Sequence, residues 1–245
     1  PLPEEATESN GIRYKVREVV MPEGTADGTS VPIDFGSVTF DKPGTYVYDI
    51  TEIIPTNKIL GVSYDSSYYR VTVNITDDGS GQLKMESSSM VKVLGNDQQT
   101  SATTATFTNT FKDDTEELAI QATKRYEDAD GNRMNLPADP FHFKLEAAKV
   151  NEQNQELTNN NAPMPSNAES TVNNMLGEVT FAPITYTLKN DHGNTYYYQL
   201  TEVDDSKTNI DYSTEKYLIK VVVSADTTDT TTDKLLKVTP TYYKW

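Results

Sequence analysis

The chain has 245 residues, with 21 Lys and Arg against 37 Asp and Glu, so its formal net charge is −16. It contains no cysteine and only two histidines, which excludes disulfides and thiolate metal sites and leaves little for a histidine-based site. The acidity argues against nucleic acid and anionic membranes as partners, and no apolar run is long enough to span a bilayer. The length suits one large domain or two ordinary ones.

Short segments that alternate apolar and polar residues dominate the chain, at Ile12–Val19, Tyr46–Glu52, Tyr69–Ile75 and Leu83–Val93. Alternation with a period of two predicts strands that have one buried and one solvated face. Turn sequences such as Asp77–Gly81 separate them. No segment has a convincing helical period, although Glu116–Thr123 could be read as helical. The pattern therefore predicts an all-β protein.

The two halves of the chain repeat the same order of motifs. Gly36–Phe40, Gly44–Glu52 and Val62–Asp65 in the first half match Gly177–Phe181, Asn194–Glu202 and Ile210–Ser213 in the second. Upstream, Ile12–Val16 matches Phe141–Leu145. An internal repeat predicts two homologous β units. We place them at residues 1–113 and 114–245, joined near the charged stretch 112–116.

Each repeat ends an aromatic-rich strand with a glutamate on the apolar face. Strand parity groups Glu52 with Tyr46, Tyr48 and Ile50, and groups Glu202 with Tyr196, Tyr198 and Leu200. Burial disfavours an isolated carboxylate, so a buried glutamate is expected to be protonated. The alternative is that both glutamates are surface residues at the ends of strands.

Two further polar side chains are predicted to point inward. Asn109 alternates with Phe107 and Phe111, and Lys124 follows the apolar positions 118, 120 and 122. Asparagine and lysine are rarely buried without a specific partner. The alternatives are a hydrogen-bonded core amide for Asn109 and a lysine that reaches the surface near a turn for Lys124.

These motifs resemble the streptococcal-type pilin isopeptide-linkage domain of Gram-positive backbone pilins and surface adhesins. The resemblance covers essentially the whole chain as two tandem copies and implies two Ig-like β-sandwiches of the Cna-B type. It also implies an intramolecular isopeptide bond between a first-strand lysine and a last-strand asparagine. On this resemblance Lys124 and Asn109 are bond-forming residues, and Glu52 and Glu202 are the catalytic proton shuttles.

The chemistry that the resemblance implies is physically reasonable. An amine in an apolar core loses its charge more easily and is then nucleophilic. A protonated carboxyl group can polarise the carboxamide and move protons, and the fold holds the groups together. Ammonia leaves once, so the protein crosslinks itself in a single turnover and is not an enzyme. The resemblance implies neither a cofactor nor a metal.

Transfer of the motif residue by residue leaves each unit without one bond partner. If the loops of the two units are equally long, the lysine for Asn109 falls about five positions before Pro1. By the same comparison, the asparagine for Lys124 falls about 12 positions after Trp245. Either these strands lie outside residues 1–245 or the bonds do not form. Lys15 is a fallback nucleophile, although it faces away from Tyr14.

The resemblance implies a structural role, as a subunit or stalk segment of a Gram-positive pilus or cell-wall adhesin. Its location would be extracellular and attached to the cell wall, and its partners would be neighbouring pilin or adhesin domains. The absence of cysteine fits a surface protein whose crosslinks are made from lysine and asparagine. The alternative function is a ligand-binding adhesin module for a host surface or matrix component.

Overall fold

The computed structural model describes residues 1–20, 26, 28–156, 161–172, 176–227 and 234–245. In chain order its strands are β1 (Thr7–Ser9), β2 (Ile12–Tyr14), β3 (Gly44–Thr51), β4 (Val62–Ser63), β5 (Tyr68–Asp77), β6 (Leu83–Val93), β7 (Gln99–Ser101), β8 (Thr110–Phe111), β9 (Thr115–Leu118), β10 (Gln121–Thr123), β11 (Phe141–Ala147), β12 (Glu169–Val172), β13 (Glu178–Thr180), β14 (Ile184–Thr187), β15 (Thr195–Val203), β16 (Lys216–Ala225) and β17 (Leu236–Lys244). A short helix, α1 (Leu188–Asp191), follows β14. Within the described ranges, no helix is both long and apolar enough to cross a membrane.

The chain divides into two compact units. Unit 1 contains Pro1–Thr56 and Tyr64–Asn109, and unit 2 contains Asn57–Ser63 and Thr110–Trp245. The regular secondary structure of both units is almost entirely antiparallel strand, which confirms the predicted all-β class with a pair of Ig-like units. The predicted boundary between residues 113 and 114 stays a prediction.

Unit 1 is organised around a four-stranded antiparallel sheet in the order β3-β5-β6-β7. In β3 the side chains of Tyr46, Tyr48 and Ile50 are half-buried, and the residues between them are exposed, as the alternating pattern predicts. The turn from β5 to β6 is closed by Asp77, whose carboxylate accepts a hydrogen bond of 2.8 Å from Gly79 N. Among the described residues of unit 1, the buried apolar side chains include Tyr69, Val73, Ile75 and Val93.

The predicted strand Ile12–Val19 is wrong beyond Tyr14. Only β2 is a strand, and it pairs with β1 instead of with the main sheet. The following residues bond to irregular backbone: Lys15 Nζ donates to the Glu4 carbonyl, and Arg17 Nε donates to the Asp34 carbonyl at 3.0 Å. The matching segment of unit 2, β11, does form a full strand, because it pairs with both β12 and β15.

Unit 2 is a sandwich of two layers. One layer is the antiparallel sheet β12-β11-β15-β16-β17, and the other is formed by the pairs β9-β14 and β10-β13. Apolar side chains from both layers meet in one core, which includes Ile120, Phe141, Val179, Phe181, Tyr186, Tyr198 and Ile219. The two inner faces are therefore joined by hydrophobic burial, as in other β-sandwiches.

Two local features of unit 2 differ from the sequence reading. Residues 116–118 lie in β9 and residues 121–123 in β10, so the segment that could also be read as helical is extended. The helix α1 has no predicted counterpart, because four residues are too few to show a helical period. Thr187 caps its N-terminus, because the Thr187 hydroxyl oxygen accepts a hydrogen bond of 3.2 Å from Asn190 N.

Candidate functional site

In unit 1 the structure brings Glu52 and Asn109 together, although they are 57 residues apart in sequence. Glu52 directly follows β3, and Asn109 directly precedes β8. Asn109 Nδ2 donates a hydrogen bond of 2.7 Å to Glu52 Oε1. Glu52 Oε2 is buried and has no hydrogen-bond partner in the described part of the chain. One carboxylate oxygen therefore holds the amide nitrogen, and the other is left to accept a further donor.

The carbonyl oxygen of Asn109 is held from the opposite side. The backbone N–H of Asp65 donates a hydrogen bond of 2.8 Å to Asn109 Oδ1. Turning the amide over would set its NH₂ group against this N–H and its oxygen against the carboxylate, which are both repulsive arrangements. The two bonds thus fix the orientation of the carboxamide, with nitrogen toward Glu52 and oxygen toward Asp65.

The segment that carries Asn109 is anchored by side chains of unit 1. Tyr69 donates a hydrogen bond of 2.8 Å from its hydroxyl to the Thr106 carbonyl, and its ring packs edge-on against Phe107 with centroids 5.3 Å apart. Thr108 N donates to Asp65 Oδ2 at 3.1 Å. Asp65 therefore contacts two consecutive residues, 108 and 109.

The carboxylate of Asp65 is strongly stabilised in its charged form. Burial alone would raise its pKa, but hydrogen bonds from Ser67 and Thr108 and the charge of Lys92 outweigh burial and lower the pKa to about 2. Lys92 Nζ lies 3.4 Å from Asp65 Oδ2. The carboxylate is thus ionised at any ordinary pH.

The surroundings of Asn109 differ from the expectation that it points into a core between two aromatic rings. Residues 105–109 form no regular strand, Asn109 is exposed, and Phe111 is 46% exposed. Only Phe107 is partly buried, through its contact with Tyr69. Parity orients side chains only along a continuous strand, and the strand here begins at Thr110.

In unit 2 the structure brings Lys124 and Glu202 together. Lys124 Nζ lies 2.7 Å from Glu202 Oε1 and 2.9 Å from Oε2, and the two side chains are 10% and 3% exposed. The amine and the carboxyl group therefore compensate each other in a nearly buried setting. Both residues point inward, as the strand pattern predicts.

Lys124 is positioned by local backbone pairing. Its N–H donates a hydrogen bond of 2.7 Å to the Gly177 carbonyl, directly beyond the pairing of β10 with β13. Gly177 has a φ of +71°, and a side chain there would overlap the backbone carbonyl of Lys124. The Lys124 amine lies 4.5 Å from the centre of the Phe141 ring, and the amine of a second lysine, Lys207, lies 5.5 Å from the same ring centre.

An open cleft adjoins Glu202. It has a volume of about 470 Å³ and is lined by Thr201, Glu202, Asp204, Lys216 and the segment 210–215. Ser213 N donates a hydrogen bond of 3.0 Å to Glu202 Oε2 at this cleft. The hydroxyl of Tyr212 is buried and has no hydrogen-bond partner within the described ranges. Glu202 and Tyr212 therefore both line the cleft, and the Tyr212 hydroxyl is buried at its edge.

Sequence reasoning missed the roles of Asp65 and Ser213. The repeat of Val62–Asp65 and Ile210–Ser213 marks both positions as equivalent, but it carries no information about a backbone N–H. The fallback nucleophile Lys15 is not brought to Glu52: its amine bonds to the Glu4 carbonyl and lies 3.7 Å from Glu5.

Comparison with known proteins gives two matches. A family model described as the Spy0128-like isopeptide containing domain (FctA) matches residues 3–112 and again residues 120–244. A protein named "Pilin" from Streptococcus pyogenes serotype M1 is 39% identical over 61 residues, which are 25% of this chain and 18% of that relative. The match therefore spans less than a fifth of the relative's length. No solved structure matches.

Proposed function

The chain belongs to the family of Spy0128-like isopeptide-containing domains, and we propose that it is a structural subunit or stalk segment of a Gram-positive pilus. The observation that carries the proposal is that the family model matches the chain twice, once over each β unit. In each unit the motif glutamate contacts an asparagine or a lysine, the two residue types that the proposed bond would join. The similarity to a streptococcal pilin supports the same role. Its partners would be neighbouring pilin domains at the cell surface, and it would perform no repeated turnover.

Polymer analysis in the source bacterium tests this role. Cell-wall extracts boiled in detergent and probed with an antibody to this chain should give a ladder of high-mass species, because pilus subunits are covalently joined. Deletion of the gene should remove the ladder. A single band at the mass of the subunit would contradict a role in a covalent pilus.

We further propose that each unit contains part of its own Lys–Glu–Asn site, with a different member missing in each. Unit 1 contains the electrophile, Asn109, and the carboxyl group of Glu52. Asn109 Nδ2 donates a hydrogen bond to Glu52 Oε1, and no described group donates to Glu52 Oε2. Unit 2 contains the nucleophile, Lys124, and the carboxyl group of Glu202, and the two form an ion pair. In a complete site the lysine amine would take the open oxygen of Glu52, and an asparagine would enter the cleft beside Glu202. Both missing partners would lie outside residues 1–245.

The reaction would proceed by attack of a neutral lysine amine on the carboxamide carbon. A new C–N bond forms, and the electron pair of the carbonyl moves to the oxygen. The glutamate takes a proton from the amine and gives one to the departing NH₂ group, which it already touches in unit 1. The bond from carbon to that nitrogen then breaks, and ammonia leaves. The product is an amide that joins two strands.

Such a bond would stabilise the pilus shaft against force and proteases. It closes a loop that spans most of a unit, and a disulfide over a loop of that length contributes about 3–5 kcal/mol by restricting the unfolded chain. Unlike a disulfide, it needs no oxidant and resists reduction. That matches a chain without cysteine.

A matched pair of lysine variants tests the assignment in unit 2. Both Lys124 and Lys207 face the Phe141 ring, but only Lys124 contacts Glu202. In a chain extended by about 20 residues of its natural flanking sequence at each end, enough for another strand on each side, Lys207→Met should keep the crosslinked tryptic peptide that contains Lys124. Lys124→Met should lose it. A crosslinked peptide that persists in Lys124→Met would contradict the assignment.

The alternative function, a ligand-binding adhesin module, stays a prediction. Saturable binding of the isolated chain to a host matrix protein, abolished by substitutions on one loop cluster, would favour it over a purely structural role.

A further inference from the structure

One backbone position donates to the reacting groups in both units. In unit 1 the N–H of Asp65 bonds to the carbonyl oxygen of Asn109 at 2.8 Å. In unit 2 the N–H of Ser213 bonds to Glu202 Oε2 at 3.0 Å. Asp65 and Ser213 close the matching motifs Val62–Asp65 and Ile210–Ser213, so the same N–H of the repeat faces the site in each unit.

We propose that these two backbone N–H groups are the oxyanion donors of the crosslinking reaction, and that the Asp65 carboxylate is a positioning residue for Asn109. This inference rests on the isopeptide reaction proposed above. It adds a catalytic group that the motif of lysine, glutamate and asparagine does not contain.

The geometry in unit 1 fits the charge that develops in the reaction. When the amine attacks the carboxamide carbon, the carbonyl electron pair moves onto Asn109 Oδ1, which becomes an oxyanion. A donor already 2.8 Å from this oxygen stabilises that charge without reorganisation. Glu52 contacts the amide nitrogen instead, so the carboxyl group moves protons while the Asp65 N–H stabilises the negative charge on Oδ1. After ammonia leaves, the same oxygen remains in the product amide and keeps its bond to the N–H.

The arrangement in unit 2 shows the donor before an asparagine is present. There the Ser213 N–H is bonded to a glutamate oxygen that also contacts Lys124. An asparagine entering the cleft would take this donor for its carbonyl oxygen and release the carboxylate to act as a base. The N–H therefore serves two acceptors in succession.

The carboxylate of Asp65 acts on a different atom. It accepts hydrogen bonds from Ser67 N at 2.9 Å and from Thr108 N at 3.1 Å, so it ties its own loop to the residue before Asn109. The equivalent Ser213 has no carboxylate, and its hydroxyl accepts a bond from Glu215 N instead. Both units therefore have an N–H donor at the equivalent position, but only unit 1 has a carboxylate there that holds the segment before the asparagine.

Rates of bond formation in the extended chain separate the two roles. Cell-free synthesis, quenched at intervals and followed by mass analysis of tryptic peptides, measures how quickly each unit forms its own crosslinked peptide with the loss of one ammonia, about 17 Da. Asp65→Ala removes the carboxylate but keeps the N–H, and Asp65→Pro removes both. Since one oxyanion donor contributes about 100-fold, the unit 1 bond should form about 100-fold more slowly in Asp65→Pro than in Asp65→Ala. Ser213→Pro against Ser213→Ala should repeat this difference in unit 2.

The positioning role of the carboxylate has its own variants. Asp65→Ala should slow the unit 1 bond about 10-fold relative to wild type, as expected for lost orientation. Asp65→Asn, which keeps an acceptor for Thr108 N, should recover most of that rate. The unit 2 bond should form at the wild-type rate in every Asp65 variant and serves as the internal control. Equal rates in Asp65→Ala and wild type would overturn the positioning role.

A second measurement covers the case in which proline prevents folding. In the 245-residue chain, Asn109→Ala removes the acceptor of the Asp65 N–H, and hydrogen exchange of that amide should become at least about 10-fold faster. Thr110→Ala is the control and should leave it unchanged. Unchanged exchange in Asn109→Ala, or equal bond-forming rates in Asp65→Ala and Asp65→Pro, would overturn the oxyanion assignment. Absence of any mass loss in the wild-type extended chain would instead overturn the reaction itself.

Discussion

At the scale of single residues, each motif glutamate of the candidate site contacts one specific polar partner. Glu52 accepts from Asn109 Nδ2, and Glu202 contacts the Lys124 amine at 2.7 and 2.9 Å. Burial of a carboxyl group without a partner costs several kcal/mol, so a glutamate on an apolar strand face calls for such a contact. The identity of the partner differs between the units because each contains a different member of the proposed bonding pair.

Asp65 predicts a dependence of stability on acid. Its pKa is about 2 in the folded protein, below the ordinary value of 3.8, so its contribution to stability is fully present above about pH 4. That contribution is lost as the pH falls from about 4 to 2. Chemical denaturation should show wild type more stable than Asp65→Asn by about 1–2 kcal/mol at pH 6, after allowance for solvent screening. The difference should shrink toward zero near pH 2, and a constant difference would contradict it.

The buried tyrosines of unit 2 give a second residue-scale prediction. The hydroxyls of Tyr186 and Tyr198 are 2.8 Å apart, and Tyr198 donates to the Pro163 carbonyl at 2.8 Å, so Tyr186 is the donor within the pair. Burial raises the pKa of both hydroxyls, which keeps them protonated. Tyr198→Phe leaves both a carbonyl and a hydroxyl without a partner and should cost about 2–3 kcal/mol, against about 1 for Tyr186→Phe. Equal losses in urea denaturation would refute this order of donation.

At the scale of strands, the alternating pattern predicts faces well where a strand has neighbours. The inward positions of β3 and the inward direction of Lys124 follow from parity alone. Ile12–Val19 alternates equally clearly, yet only its first three residues form a strand, because β2 pairs with the short β1 and not with the main sheet. Alternation indicates which side chains could share a face, but hydrogen bonding to a neighbour decides whether a strand forms.

Gly177 predicts how strongly the position of Lys124 depends on its neighbouring strand. An alanine there would combine a positive φ with overlap of its Cβ and the Lys124 carbonyl, so Gly177→Ala should destabilise unit 2 by more than about 3 kcal/mol. Gly193 has a φ of +83° but open space around its Cα, so Gly193→Ala should cost only about 1 kcal/mol. Thermal unfolding distinguishes the two. A loss in Gly177→Ala no larger than that in Gly193→Ala would contradict the close approach.

At the scale of the whole chain, the internal repeat was the most informative feature of the sequence. It predicts two homologous all-β units, and each motif glutamate meets a motif residue distant in sequence. The repeat could not reveal the backbone N–H groups of Asp65 and Ser213, because every residue except proline has one. Nor could it predict that Asn109 is exposed, since that depends on which strands cover unit 1.

The mass of the extended chain tests the central claim, that each unit holds part of its own self-crosslinking site. With about 20 natural residues added at each end, room for one strand per side, the wild-type mass should fall about 34 Da below the sequence value, one ammonia per unit. Glu52→Ala and Glu202→Ala should each restore about 17 Da, and the double variant should have the full sequence mass. A wild-type mass equal to the sequence value, or a loss unaffected by both glutamate substitutions, would contradict the claim.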